Sequence, residues 1–243
     1  MRGNIYIGLG GSGIKTVDAI KQQFYSDDFI YNIASAFCAI DTDREALSNC
    51  GFLSAEELVD IGVVNPRLIY TANKDKFDIP DKNIHYLSNI CNSGSGQVRS
   101  NGHFCFLHND SFLRNKILSV YHELTNTKSK ITISNIDVHL FFSSCGGTGS
   151  GIFYDIAKLI KEIIPNSNII CYAYSHRYFE DITPFHCLIK SNEYATLLET
   201  NYYFNNNSRN YALNKFVFID NKTYDEGGKF HSYVIQLSDS ISY

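Results

Sequence analysis

The segment Ser143-Ser144-Cys145-Gly146-Gly147-Thr148-Gly149-Ser150-Gly151 restricts the fold of this chain more than any other stretch. It follows an apolar run, Ile136 to Phe142, of the kind that fills a buried strand, and it precedes a helical pattern from Ile152 to Ile164 that Pro165 closes. Four glycines in six residues carry a large entropy cost on folding, which a plain turn gives no reason to bear. A strand that breaks into glycines and then a helix exposes main-chain N–H groups and the positive end of a helix dipole, an arrangement that captures anions. Thr148 and Ser150 are expected to add side-chain hydrogen bonds to such an anion.

The same unit occurs earlier. Asn4 to Leu9 is β-prone, breaks into Gly10-Gly11-Ser12-Gly13, and continues as a helix with Ile14, Val17, Ile20 and Phe24 on one stripe. A second strand, Ile33 to Ile40, ends at Asp41-Thr42-Asp43, and Arg44 to Leu47 then begins a helix. Further helices are predicted at Ala55 to Ile61, Asp110 to Leu124 and Asn192 to Tyr203, strands at Asn168 to Tyr174 and Lys215 to Ile219, and loops at Asn92 to Gly102 and Asn205 to Asn210. Strands alternating with helices predict an α/β fold, a Rossmann-like, mainly parallel sheet with helices on both faces, over residues 1–231. Residues 232–243 read as the opening turns of a helix with no stop signal, so the chain is expected to be cut short there.

A length of 243 residues is ample for a full core, and 44% hydrophobic with 19% charged residues excludes a disordered tail or a coiled coil. Twenty-one Lys and Arg against 25 Asp and Glu give a net charge of −4, which supplies no drive toward nucleic acid or anionic membrane. Seven cysteines, an odd number with no CxxC pair, fit a reducing cytoplasm better than a disulfide framework. No apolar run approaches the roughly 20 residues that span a bilayer.

Gly8-Leu9-Gly10-Gly11-Ser12-Gly13 matches the dinucleotide fingerprint GxGxxG between a strand and a helix, with Asp41 placed to receive a ribose hydroxyl. Taken alone, this half favours an NAD-dependent oxidoreductase. A Walker A loop fails, because Ile14 intervenes before Lys15-Thr16. A third loop, Ser93-Gly94-Ser95-Gly96, adds small residues that close over a terminal phosphate, and three such loops point to a nucleotide with several phosphates. The histidines and cysteines show no ligand spacing for a protein-held metal. Cys145 at a helix N-terminus invites a nucleophile reading, but no His or Asp partner can be assigned to it. Neither Ser12 nor Ser150 fits GxSxG, which disfavours a serine hydrolase.

GGTGSG at Gly146 to Gly151 resembles the signature of the tubulin and FtsZ superfamily, and four further segments fall in that family's order. GLGGSG at Gly8 to Gly13 resembles its first glycine loop, and Asp41-Thr42-Asp43 with REAL resembles the NTDxxAL segment of FtsZ. SGSGQVRSNGHF at Ser93 to Phe104 is similar to a tubulin glycine loop, and Tyr178-Phe179-Glu180 resembles the FEG segment of FtsZ.

The resemblance implies the nucleotide-binding domain of a GTP-binding protein, a filament-forming GTPase or part of one, with GTP and Mg2+ as its cofactors. Gly146, Gly147, Thr148, Gly149, Ser150 and Gly151 would hold the phosphates, Gly10, Gly11, Ser12 and Gly13 would meet them from the opposite side, and Ser93, Gly94, Ser95 and Gly96 would sense the γ-phosphate. Asp43 would lie beside the phosphates and Mg2+, Glu180 would bind ribose, and Asn221 would read guanine. Two positions depart from the pattern: Pro184 stands where FtsZ has an arginine, and Asp41 where it has an asparagine. The family's water-positioning carboxylates arrive in trans on an acidic loop of a second domain, which is expected to be absent here, so no catalytic residue is assigned. Partners implied are a guanine nucleotide and either further copies or a longer tubulin-like protein. The alternatives are the oxidoreductase and a tubulin-like scaffold that does not hydrolyse nucleotide.

Overall fold

A computed structural model describes residues 2–26, 34–77, 90–125, 133, 135–179, 186–205, 212–224 and 230–238. Strand β1 (Arg2–Leu9) runs into helix α1 (Gly10–Ser26), and β2 (Ala34–Asp41) into the short α2 (Arg44–Ser48). Next come β3 (Leu58–Asp60), β4 (Val63–Val64), α3 (Pro66–Ala72) and β5 (Ile90–Cys91), then α4 (Arg99–His108) and α5 (Asp110–Thr125). The second half holds β6 (Asn135–Ser143), α6 (Thr148–Ile163), β7 (Asn168–Tyr174), α7 (His186–Asn205), β8 (Lys215–Tyr224) and β9 (Phe230–Ser238).

Among the described residues the main sheet has seven strands in the order β3-β2-β1-β6-β7-β8-β9. The first six are parallel, and β9 pairs antiparallel with β8. β1 is therefore an interior strand, with β2 on one side and β6 on the other, and Leu9 pairs with both Ile40 and Phe142. A separate antiparallel pair joins β4 and β5.

Period-2 alternation sends side chains to two cores. Ile5, Ile7, Val138, Leu140 and Phe142 face α5 and α6, packing with Leu113, Ile117, Ile152 and Ile156. Phe37, Ala39 and Phe141 face the other way, against Ile14 and Val17 of α1 and Leu47 of α2. Both sheet faces are covered by helices, as parallel strands require.

Three expectations are corrected. The helix predicted at Ala55 to Ile61 is a turn followed by β3. Val59, Ile61 and Val63 are all buried at spacing two, so the strand period outweighs the helix-forming Ala55-Glu56-Glu57. The predicted helix start at residue 232 is β9: His231 to Leu237 is rich in aromatic and β-branched residues, and its main chain pairs with β8. The loop predicted to run to Gly102 gives way to α4 at Arg99. The Asn205 to Asn210 loop falls outside the described residues, apart from Asn205 at the end of α7.

Candidate functional site

The strand order reverses between β1 and β6, the point in an open parallel sheet where adjacent connections leave to opposite faces and a crevice opens at the strands' carboxyl ends. Both glycine-rich helix starts sit at this point. α1 begins at Gly10 directly after β1, and α6 begins at Thr148 after β6. Helix α6 has Gly147 as its N-cap, with no side-chain capping bond and no acidic residue in its first turn, and the first turn of α1 likewise has no acidic residue. The N-terminal N–H groups of α6 are thus not claimed by a capping side chain.

Two glycines permit the approach. A Cβ on Gly149 would lie 2.5 Å from the Leu9 carbonyl oxygen, so only glycine lets the start of α6 lie on the end of β1. A Cβ on Gly147 would lie 2.2 Å from Ser95 Oγ and 2.7 Å from the Val98 nitrogen, so the third loop closes on the signature loop backbone to backbone.

Polar contacts then lock the three loops together. Thr42 and Thr148 share a hydroxyl hydrogen bond of 2.7 Å, and Thr148 Oγ1 donates to Ser95 Oγ at 3.1 Å. The Gly94 N–H donates to the Thr42 carbonyl at 3.3 Å, Ser93 forms a β-bridge with Asp43, and Asn101 Nδ2 donates to the Ser95 carbonyl at 3.0 Å.

The result is one cavity of about 280 Å³. It is lined by Gly10, Gly11 and Ser12 from the first loop, by Gly94, Ser95 and Gly96 from the third, and by Gly146, Gly147, Thr148 and Gly149 from the signature. Asp41, Asp43 and Gln97 complete its polar rim, and among the described residues that line it there is no lysine or arginine. An anion bound here would be held by main-chain N–H groups.

The remaining sequence candidates serve the wall or lie elsewhere. Gly13 packs on Phe141 and Gly151 on Arg99, and neither lines the cavity. Ser150 Oγ donates back to the Gly146 carbonyl, and the Thr148 hydroxyl is spent between loops, so neither is free to act solely on a ligand. Asp43 Oδ1 caps α2 through the N–H groups of Glu45 (3.0 Å) and Ala46 (3.2 Å). Asn221 lies in β8, where its main chain pairs with Ser232 beside a register shift. Glu180 and Pro184 are outside the described residues.

Two titratable groups at the site are perturbed by burial. Asp41 is 3% exposed and burial pushes its carboxyl up to about 6, despite the hydrogen bond from the Thr42 N–H at 2.7 Å that favours its ionised form. The Cys145 thiol is pushed up to about 11 by burial and stays protonated at neutral pH, which removes the nucleophile reading. The sequence did not single out Thr42, Gln97 or the side chains of α7 that reach the loops, because nothing in a linear pattern marks a residue as a tie between distant segments.

A family described as tubulin-like matches residues 79–225. No curated protein sequence matches the chain. CetZ from Methanosaeta thermophila is similar in structure, with a TM-score of 0.61 at 17% identity, over 90% of this chain and 46% of that one. A GTPγS-form protofilament of TubZ from Bacillus thuringiensis serovar israelensis gives 0.56 at 15% identity over 90% and 48%, and FtsZ from M. jannaschii gives 0.52 at 14% over 90% and 46%. The chain thus spans about half the length of these solved structures. Among the described residues no helix is long and apolar enough to cross a membrane. Its fold is that of these structures, and with the family match extending over more than half of its residues the chain belongs to the tubulin-like family.

Proposed function

We propose that this chain binds a guanine nucleoside triphosphate with Mg2+ and is the nucleotide-binding unit of a self-associating, filament-forming protein. The observation that carries the reading is the convergence of three glycine loops and two helix N-termini on one cavity at the switch point of the sheet. The loops from residues 10–13 and 146–151 would meet the phosphates from opposite sides, and the loop from residues 93–96 would close over them. The base would extend along the strand ends toward β8, two inter-strand spacings or about 10 Å from β6. Asn221 would then read guanine and Glu180 the ribose, as the family resemblance implies.

The donor set fits Mg2+. Asp41 and Asp43 place hard carboxylate oxygens on the cavity wall. No group of three or more His, Cys, Asp or Glu among the described residues could hold a metal alone, so Asp43 would share the ion with phosphate oxygens. There the ion would neutralise polyphosphate charge that two aspartates would otherwise oppose.

The oxidoreductase reading uses only the first loop and leaves the other two without a ligand. Self-association rests on the protofilament and filament assemblies of CetZ2 from Haloferax volcanii and of TubZ, and it is proposed for the whole protein. Equilibrium binding of labelled GTP, ATP and NAD, with and without Mg2+, tests the nucleotide. GTP is expected to bind tightest and to be strengthened by Mg2+. NAD binding as tight as GTP would overturn the proposal.

A further inference from the structure

Helix α7 holds the loops from outside the cavity, and one of its side chains touches two of them. Asn192 is 7% exposed and does not line the cavity. Its Nδ2 donates to the Gln97 carbonyl at 2.7 Å, at the end of the third loop, and to the Cys145 carbonyl at 3.0 Å, just before the signature glycines. Both partners are acceptors, so the amide nitrogen must face them, and each of its two protons serves a different loop. Gln97 is a non-glycine residue with φ of 60°, in the left-handed region. Such a conformation persists where its surroundings hold it, and Asn192 binds that residue's own carbonyl. Other ties from α7 differ: Thr196 Oγ1 donates to the Ser144 carbonyl at 2.8 Å, and Glu193 accepts from Ser144 Oγ at 2.8 Å and from the His176 N–H at 2.6 Å, and neither bond set reaches the third loop.

Topology says which part of a ligand meets the third loop. On the nucleotide reading proposed above, with Asn221 of β8 at the base, the sheet order β2-β1-β6-β7-β8 would put the base at one end and the polyphosphate over the cavity between β1 and β6. The last phosphate would then point toward β2, where the Asp43 bridge to Ser93 and the Gly94 bond to Thr42 anchor the third loop.

We propose that Asn192 is a positioning residue that fixes the third loop against the signature loop, and so sets the preference of the site for a nucleoside triphosphate over the diphosphate. This rests on the nucleotide reading above. The test compares affinities for GTPγS and GDP in wild type, Asn192→Asp and Thr196→Val, with thermal melting as a check on folding. Asn192→Asp keeps the shape and removes both donors. It is expected to weaken GTPγS about tenfold, in line with two lost hydrogen bonds, and GDP less than about threefold. Thr196→Val is expected to weaken both nucleotides by the same factor. If Asn192→Asp does not fold, Asn192→Ser, which keeps one donor, is expected to show a smaller loss with the same preference. Equal loss of both nucleotides, or no loss, in a wild-type protein that binds them overturns the role of Asn192 alone. A wild-type protein that binds neither overturns the nucleotide reading and this role together.

Discussion

Asp41 illustrates how a single residue sets a measurable property of the site. Its carboxyl is buried at the end of β2, and burial raises its pKa to about 6, whereas an unfolded aspartate titrates near 4. The folded protein therefore holds this proton more tightly than the unfolded chain does. The stabilisation is complete below about pH 4 and is lost as pH rises to about 6. Replacing Asp41 with Asn keeps an acceptor for the Thr42 N–H and removes the buried charge. In nucleotide-free, metal-free protein, Asp41→Asn is expected to be more stable than wild type by up to about 3 kcal/mol at pH 7, with the difference shrinking to near zero by pH 4. Urea unfolding at stepped pH measures this, and a difference that does not vary with pH would contradict the burial of an ionisable group. The sequence reveals at this scale that residues 146–151 approach something closely. It does not reveal that the Thr148 hydroxyl is spent on Thr42 and Ser95, since those bonds join segments 106 and 53 positions apart.

The elements are held to the sheet by contacts of unequal kind. Lys21 of α1 and Glu57, in the turn before β3, form a buried ion pair, and Glu57 also accepts from the Ser54 N–H at 2.6 Å. Breaking such a pair strands a charge away from water, so Lys21→Met is expected to lower stability by about 3 kcal/mol. Adding Glu57→Gln, which removes the stranded charge and keeps the acceptor, is expected to recover at least half of that loss. Chemical denaturation of both variants decides it, and an undisturbed Lys21→Met would show that the pair is solvated. Elements with strong periodicity were legible in the sequence: α1, α5, α6, β1, β6 and β7 all lie where apolar spacing puts them. β3 and β9 were not, because a three-residue strand is fixed by its pairing with β2, and β9 by its pairing with β8, more than by local preference.

At the scale of the whole molecule, the position of the site follows from strand order. β1 and β6 are separated by more than 120 residues yet lie side by side, and that adjacency turns two glycine motifs into one cavity. The sequence shows two strand-glycine-helix units, but not that they meet, because pairing across such a separation leaves no local mark. The central claim is that main-chain amides of these loops capture a polyphosphate. It is tested most directly by NMR of 15N-labelled protein titrated with GTPγS and Mg2+. The amides of Gly10, Gly11, Gly96, Gly147 and Gly149 are expected to show the largest, saturable shifts, while those of Gly3 and Gly51, remote from the cavity lining, stay fixed. Saturable shifts centred elsewhere, with these five glycines unmoved, would contradict the claim.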